Sequence, residues 1–157
     1  MAHRPIIPPG SAPPLAPYSA GVRAGNVVHV SGMLSLDGDG KVVGAGDIRV
    51  QTRQVLESIK AVVVAAGGTM ADVAFNQIFL ANLDDYKAMN EVYREYFPGN
   101  FPARYCIRAD LVRPVFLVEI AATAYLGTSR ARKVHPGRRV RPAARKAAAK
   151  KRTTRRR

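Results

Sequence analysis

The chain has 157 residues, with 25 Lys or Arg against 11 Asp or Glu and a formal net charge of +14. That length suits one ordinary domain, and no apolar run reaches the roughly 18 to 20 residues a membrane span requires. A single cysteine excludes an intramolecular disulfide, so a reducing, cytoplasmic setting is the expectation.

The charge is unevenly placed. Residues 128–157 hold 14 of the basic residues and no acid, so the first 127 residues are balanced at 11 against 11. Two parts are expected: a globular domain over residues 1–127 and a basic tail over 128–157. The first residues contain Arg4 but no apolar core of roughly 7 to 15 residues, unlike a secretory signal.

Six prolines within residues 1–17 exclude helix and predict an extended arm, which Ile6, Ile7 and Leu15 would dock onto the body. Residues 18–23 lead through the turn Ala24-Gly25-Asn26 into a β-branched strand, Val27 to Gly32, so a hairpin is expected. Asp37-Gly38-Asp39-Gly40 reads as a turn; the later ligands and closing Glu of a calcium loop are absent. From Asp47, an N-cap candidate, apolar residues recur at Val55, Ile59, Val62 and Ala66, predicting a helix that stops at Gly67-Gly68.

A strand follows over Val73 to Leu80. A second amphipathic helix opens at Asp84-Asp85, carries Tyr86, Met89, Val92, Tyr93 and Tyr96, and ends at Pro98-Gly99. Its tyrosines are read as core packing. Two last strands, Ala103 to Asp110 and Val115 to Leu126, read as a hairpin. The fold class is α+β, a mixed sheet with two helices on one face. Because the last strand is apolar on both sides, the uncovered sheet face predicts an oligomer.

The chemistry-bearing residues cluster in that final pair. Arg104 and Cys106 share a strand face, and a hairpin centred between Val112 and Arg113 would bring Glu119 opposite Cys106. Glu119, a carboxylate in an apolar run, is either the ion-pair partner of an arginine or a titratable group suited to proton transfer. Arg104 offers a planar fork for a carboxylate or phosphate; its alternative role is to neutralise Glu119 within the subunit. Cys106 reads as an inert thiol, since His3, His29 and His135 form no Cys-His motif and no metal-ligand spacing.

Residues 16–22, Val30-Ser31-Gly32, Gln51-Thr52-Arg53-Gln54, Asn90-Glu91-Val92-Tyr93, Pro102-Ala103-Arg104-Tyr105-Cys106 and Val118-Glu119-Ile120 occur in one order and spacing. In these the chain resembles the Rid (YjgF/UK114) family of enamine and imine deaminases, over about residues 5 to 127. Through Ile6-Ile7-Pro8, Leu15-Ala16-Pro17, residues 66–73, Phe97-Pro98-Gly99 and Pro102 to Ile107 it is similar to the aminoacrylate deaminases of the Rut uracil-degradation pathway. It departs from the commoner 2-aminoacrylate deaminases, which usually have a small residue where Tyr105 sits and Gln where Met33 sits.

The resemblance implies a trimer of chorismate-mutase-like fold with active sites in the clefts between subunits. Arg104 would bind the substrate carboxylate and Glu119 would activate water and handle protons. Tyr18, Ser31, Gly32 and Cys106 would line the pocket, and Asn90 would reach in from a neighbouring subunit. No cofactor and no metal are implied. The expected reaction is hydrolytic deamination of 3-aminoacrylate, or alternatively of 2-aminoacrylate.

The tail has no apolar periodicity and is expected to be disordered. Its Lys150, Lys151, Arg152, Arg155, Arg156 and Arg157 are candidates for non-specific nucleic-acid or other polyanion binding; the alternative is a solvated tail with no partner.

Overall fold

A computed structural model describes residues 3–127. The tail, with the expectations of disorder and of polyanion contacts through Lys150 to Arg157, lies outside the described residues.

The elements run β1 (Arg4–Ile6), β2 (Gly21–Ala24), β3 (Val27–Met33), α1 (Ile48–Ala65), β4 (Val73–Leu80), α2 (Tyr86–Tyr96), β5 (Ala103–Arg108) and β6 (Val118–Tyr125). One six-stranded sheet has the order β1-β2-β3-β6-β4-β5. All neighbours are antiparallel except β4 and β5, which α2 joins in parallel.

Local chemistry sets the bounds of α1. The Asp47 carboxylate accepts from the backbone N–H groups of Arg49 and Val50 at 2.9 and 3.1 Å, a cap worth about 1 kcal/mol. At the other end Gly67 adopts φ 90°, and the N–H groups of Gly68 and Gly67 reach the carbonyls of Val63 and Val64. That closure needs a left-handed residue, which glycine supplies without a Cβ clash.

The core lies between the helices and one sheet face. Val55, Leu56, Ile59, Val62 and Val63 of α1 and Met89, Val92 and Tyr93 of α2 are buried, as are Val28, Ile78, Leu80, Val118, Ile120 and Ala124 of the sheet. The opposite face carries Phe75, Phe79, Tyr105 and Ile107, with Tyr105 42% and Ile107 48% exposed. The rings of Phe75 and Phe79 meet Tyr105 edge-on at 5.9 and 6.3 Å. An apolar patch on this face is open, as the two-sided last strand predicts.

Three expectations change. The final hairpin does not form: β4 lies between β5 and β6, pairing with both. Two causes combine. The β4–α2–β5 unit sets β5 parallel beside β4, and the connection 109–117 is too long for a tight turn. Its end is held instead by buried Gln51, whose amide donates to the Val115 carbonyl at 2.8 Å and accepts from the Leu117 N–H at 2.8 Å. For the same reason the last strand begins at Val118, not Val115. Within the arm, Arg4–Ile6 forms a strand on β2 that buries Ile6, whereas Ile7 is 76% exposed. Among the described residues no helix is long and apolar enough to cross a membrane.

Candidate active site in two halves

Side-by-side residues in a sheet point to the same face, so register decides what can meet. Arg104 stands beside Asn76, and Asn76 beside Ala122; this row faces the helices. Glu119 stands beside Phe79, and Phe79 beside Ile107; this row faces away. Arg104 and Glu119 are thus two strands and three positions apart, about 14 Å along the sheet, on opposite sides. Pairing of Cys106 with Glu119 does not occur, because Cys106 stands beside Ile78. Neutralisation of Glu119 by Arg104 within one subunit is excluded by the same topology.

The first half is built by α2 around Arg104. Its guanidinium donates to Asn90 Oδ1, and the Asn90 amide is oriented by its own donation to the Tyr86 carbonyl at 2.7 Å. The guanidinium carbon lies 4.6 Å from the ring centroid of Tyr93 and 5.9 Å from that of Tyr86, favourable cation–π geometry. Tyr86, Lys87, Asn90, Glu91, Tyr93, Arg94, Phe101 and Arg104 line this cleft. No carboxylate of the described residues forms an ion pair with Arg104. Its fork is therefore held in place and its charge left for an anion.

The second half gathers around Glu119 on the other face, with Leu15, Ala16, Tyr18, Ser31, Gly32, Leu34, Val112 and Arg113. A bulge shapes it: between the pairs Val30–Ala122 and Met33–Ile120, Ser31 and Gly32 together oppose Ala121. The Ser31 hydroxyl donates to the Ser19 carbonyl at 2.7 Å and ties the arm's end to this bulge. Gly32 leaves the room that Glu119 occupies, since a Cβ there would stand 1.9 Å from Oε1. Among the described residues Glu119 has no hydrogen-bond or ion-pair partner, although Arg113 lines the same cleft. Burial alone pushes its carboxyl above the ordinary value of 4.5.

Tyr18, Ser31, Gly32 and Glu119 thus come together, Arg104 and Asn90 come together, and the two groups do not meet within one chain. Asn90 belongs with Arg104 of its own subunit. Cys106 lines neither cleft; it is half-buried against the core, and burial raises its thiol pKa despite the Arg104 charge. The tyrosines of α2 do more than pack the core: Tyr93 is 3% exposed yet carries Arg104 on its face, and Tyr86 is 46% exposed. Their seven-residue spacing, with Asn90 between, puts all three on one side of a helix. That pattern is the signal by which they could have been found. Among the described residues the His29 ring bonds Thr123 Oγ1, at 3.3 Å. No group of three or more His, Cys, Asp or Glu among the described residues could hold a metal.

Comparison with known proteins matches residues 9–126 to Ribonuc_L-PSP, the endoribonuclease L-PSP family. Among solved structures the chain is similar to the Rid-family protein YyfA from Yersinia pestis, at 32% identity and TM-score 0.74, covering 80% of this chain and 100% of that one. TdcF from E. coli, solved with bound serine, is 30% identical with TM-score 0.72, covering 78% and 98%. The E. coli YjgF gene product is 29% identical with TM-score 0.72, again covering 78% and 98%. The chain belongs to the endoribonuclease L-PSP family, the family of the YjgF and Rid proteins.

Proposed function

We propose that the protein is a hydrolytic deaminase of small enamine and imine carboxylates, active as a trimer whose sites join the Arg104 half of one subunit to the Glu119 half of another. One observation carries this reading: the two groups face opposite sides of the sheet and do not meet within one chain, and a second copy would bring them together. The open apolar face offers the surface for that assembly. Serine bound to TdcF fits the same reading, because its carboxylate is the group the Arg104 fork would hold.

The preferred substrate is 3-aminoacrylate, with 2-aminoacrylate as the alternative. Arg104 and Asn90 grip the carboxylate. Glu119, whose carboxyl burial shifts upward, gives a proton to the enamine carbon next to the carboxylate and converts the enamine to a protonated imine. The resulting carboxylate takes a proton from water as its oxygen adds to the imine carbon. The carbinolamine then expels ammonia and leaves malonic semialdehyde. Imines of this kind hydrolyse in water unaided, so positioning and one acid-base group suffice. No cofactor enters the scheme.

Ammonia release from 2- and 3-aminoacrylate generated in situ tests this. Faster release than the buffer rate, lost in Glu119→Ala, is the expected result; buffer-rate release with both substrates would overturn it.

A second reading concerns the tail alone. Its 14 basic residues with no acid would draw the assembly to RNA, DNA or another polyanion without sequence choice, in the cytoplasm. This adds an anchoring role and leaves the deaminase reading intact.

A further inference from the structure

We infer that Asn76 and Tyr93 form an internal brace that sets the plane of the Arg104 guanidinium, which makes them positioning residues for carboxylate recognition. The inference rests on the reading of Arg104 as a carboxylate clamp.

Among the described residues, the hydrogen-bond and cation–π partners of the guanidinium all come from α2: Tyr86, Met89, Asn90 and Tyr93. Arg104 itself is rooted in β5, the edge strand. Its orientation therefore depends on where α2 sits relative to the sheet. Asn76, on the neighbouring strand and level with Arg104, supplies a direct polar tie between the two layers at this spot. Its amide donates to the Tyr93 hydroxyl at 2.7 Å, inside the core.

A packing role alone suits this amide poorly. Asn76 is fully buried, and its Oδ1 has no hydrogen-bond partner, so that oxygen gives up hydration for nothing. An apolar side chain of similar size would fill the space without that loss. What the amide adds is direction: a hydrogen bond to the ring's far end stops the ring from sliding or tilting. Because the guanidinium lies 4.6 Å over that ring, a tilt of the ring would turn the fork away from an incoming carboxylate. Burial also raises the Tyr93 hydroxyl above its usual pKa of 10.0, so it stays neutral at physiological pH.

The test uses Asn76→Leu, Tyr93→Phe and the double variant, with Arg104→Ala beside them. Thermal stability, KM and kcat are measured with whichever aminoacrylate the wild type turns over. Each single variant strands one buried polar group and should lose stability; the double variant removes both and should recover most of it. All three should raise KM about tenfold, about 1.4 kcal/mol, with the larger share of the loss in KM and not in kcat. A double variant that regains both stability and wild-type KM overturns the brace and leaves the carboxylate reading standing, provided Arg104→Ala raises KM. Wild-type KM in Arg104→Ala, or no turnover by the wild type, overturns that reading and the brace with it.

Discussion

Arg104 and Glu119 stand on opposite faces of one sheet, two strands apart, and neither has a countercharge paired to it among the described residues of its own chain. Within one chain the two do not meet, and the proposed assembly would bring them together across copies. That proposal rests on register as well as on exposed apolar area.

The geometry of the fork matters as well as its charge. Arg104→Lys keeps the charge but loses the planar edge that lies over Tyr93 and bonds Asn90. It should lower kcat/KM by about 10- to 100-fold, mostly through KM, with little change in thermal stability because the side chain is only half-buried. Steady-state ammonia release alongside a melting curve checks both halves of the statement.

Gly32 is expected to be a specific weak point. A methyl group there would overlap the Glu119 carboxylate, which is the mobile end of its side chain and can swing away. Gly32→Ala should therefore leave stability within about 1 kcal/mol of wild type while cutting kcat by about tenfold or more. Equal losses of stability and rate would point to a bulge that cannot accept a side chain.

Burial raises the Glu119 pKa above 4.5, so the folded chain binds this proton more tightly than the unfolded one. Stability assigned to this group is greatest below that ordinary value and is lost as pH rises through the folded pKa. In the proposed assembly the Arg104 guanidinium of a second copy would oppose the shift. In Arg104→Ala the Glu119 carboxyl should therefore titrate higher than in the wild type. Carboxyl chemical shifts followed against pH, with Glu119→Gln for assignment, measure it.

Removal of residues 128–157 should leave kcat/KM unchanged within about twofold, because the tail is absent from the scheme for catalysis. Binding of a short RNA or DNA duplex should fall sharply, and the steep salt dependence expected of the full chain should disappear. Fluorescence anisotropy at two salt concentrations makes the comparison.

Much of this was legible in the sequence, for physical reasons. The 3.6-residue period and the Asp47 and Gly67 signals define α1 to within a residue, and alternation places β3 and β4. Strand order was not legible. Alternation in β5 and β6 is equally compatible with a hairpin and with β4 between them, and the long-range clamp by Gln51 has no local signature. Arg104 and Glu119 stood out as charges in apolar surroundings, but their placement on opposite faces depends on that strand order. Tyr93 is core, as its helical spacing predicts, but Tyr86 is exposed, because helical spacing reports a face and not what lies against it.

Subunit complementation tests the central claim most directly. Arg104→Ala and Glu119→Ala, each strongly impaired alone, are denatured together in equal amounts and refolded. With sites shared between neighbours in a ring, random mixing gives about a quarter of the sites both intact halves, so about a quarter of wild-type ammonia release should return. Activity no greater than that of the separate variants, in assemblies shown to be mixed, would contradict the account.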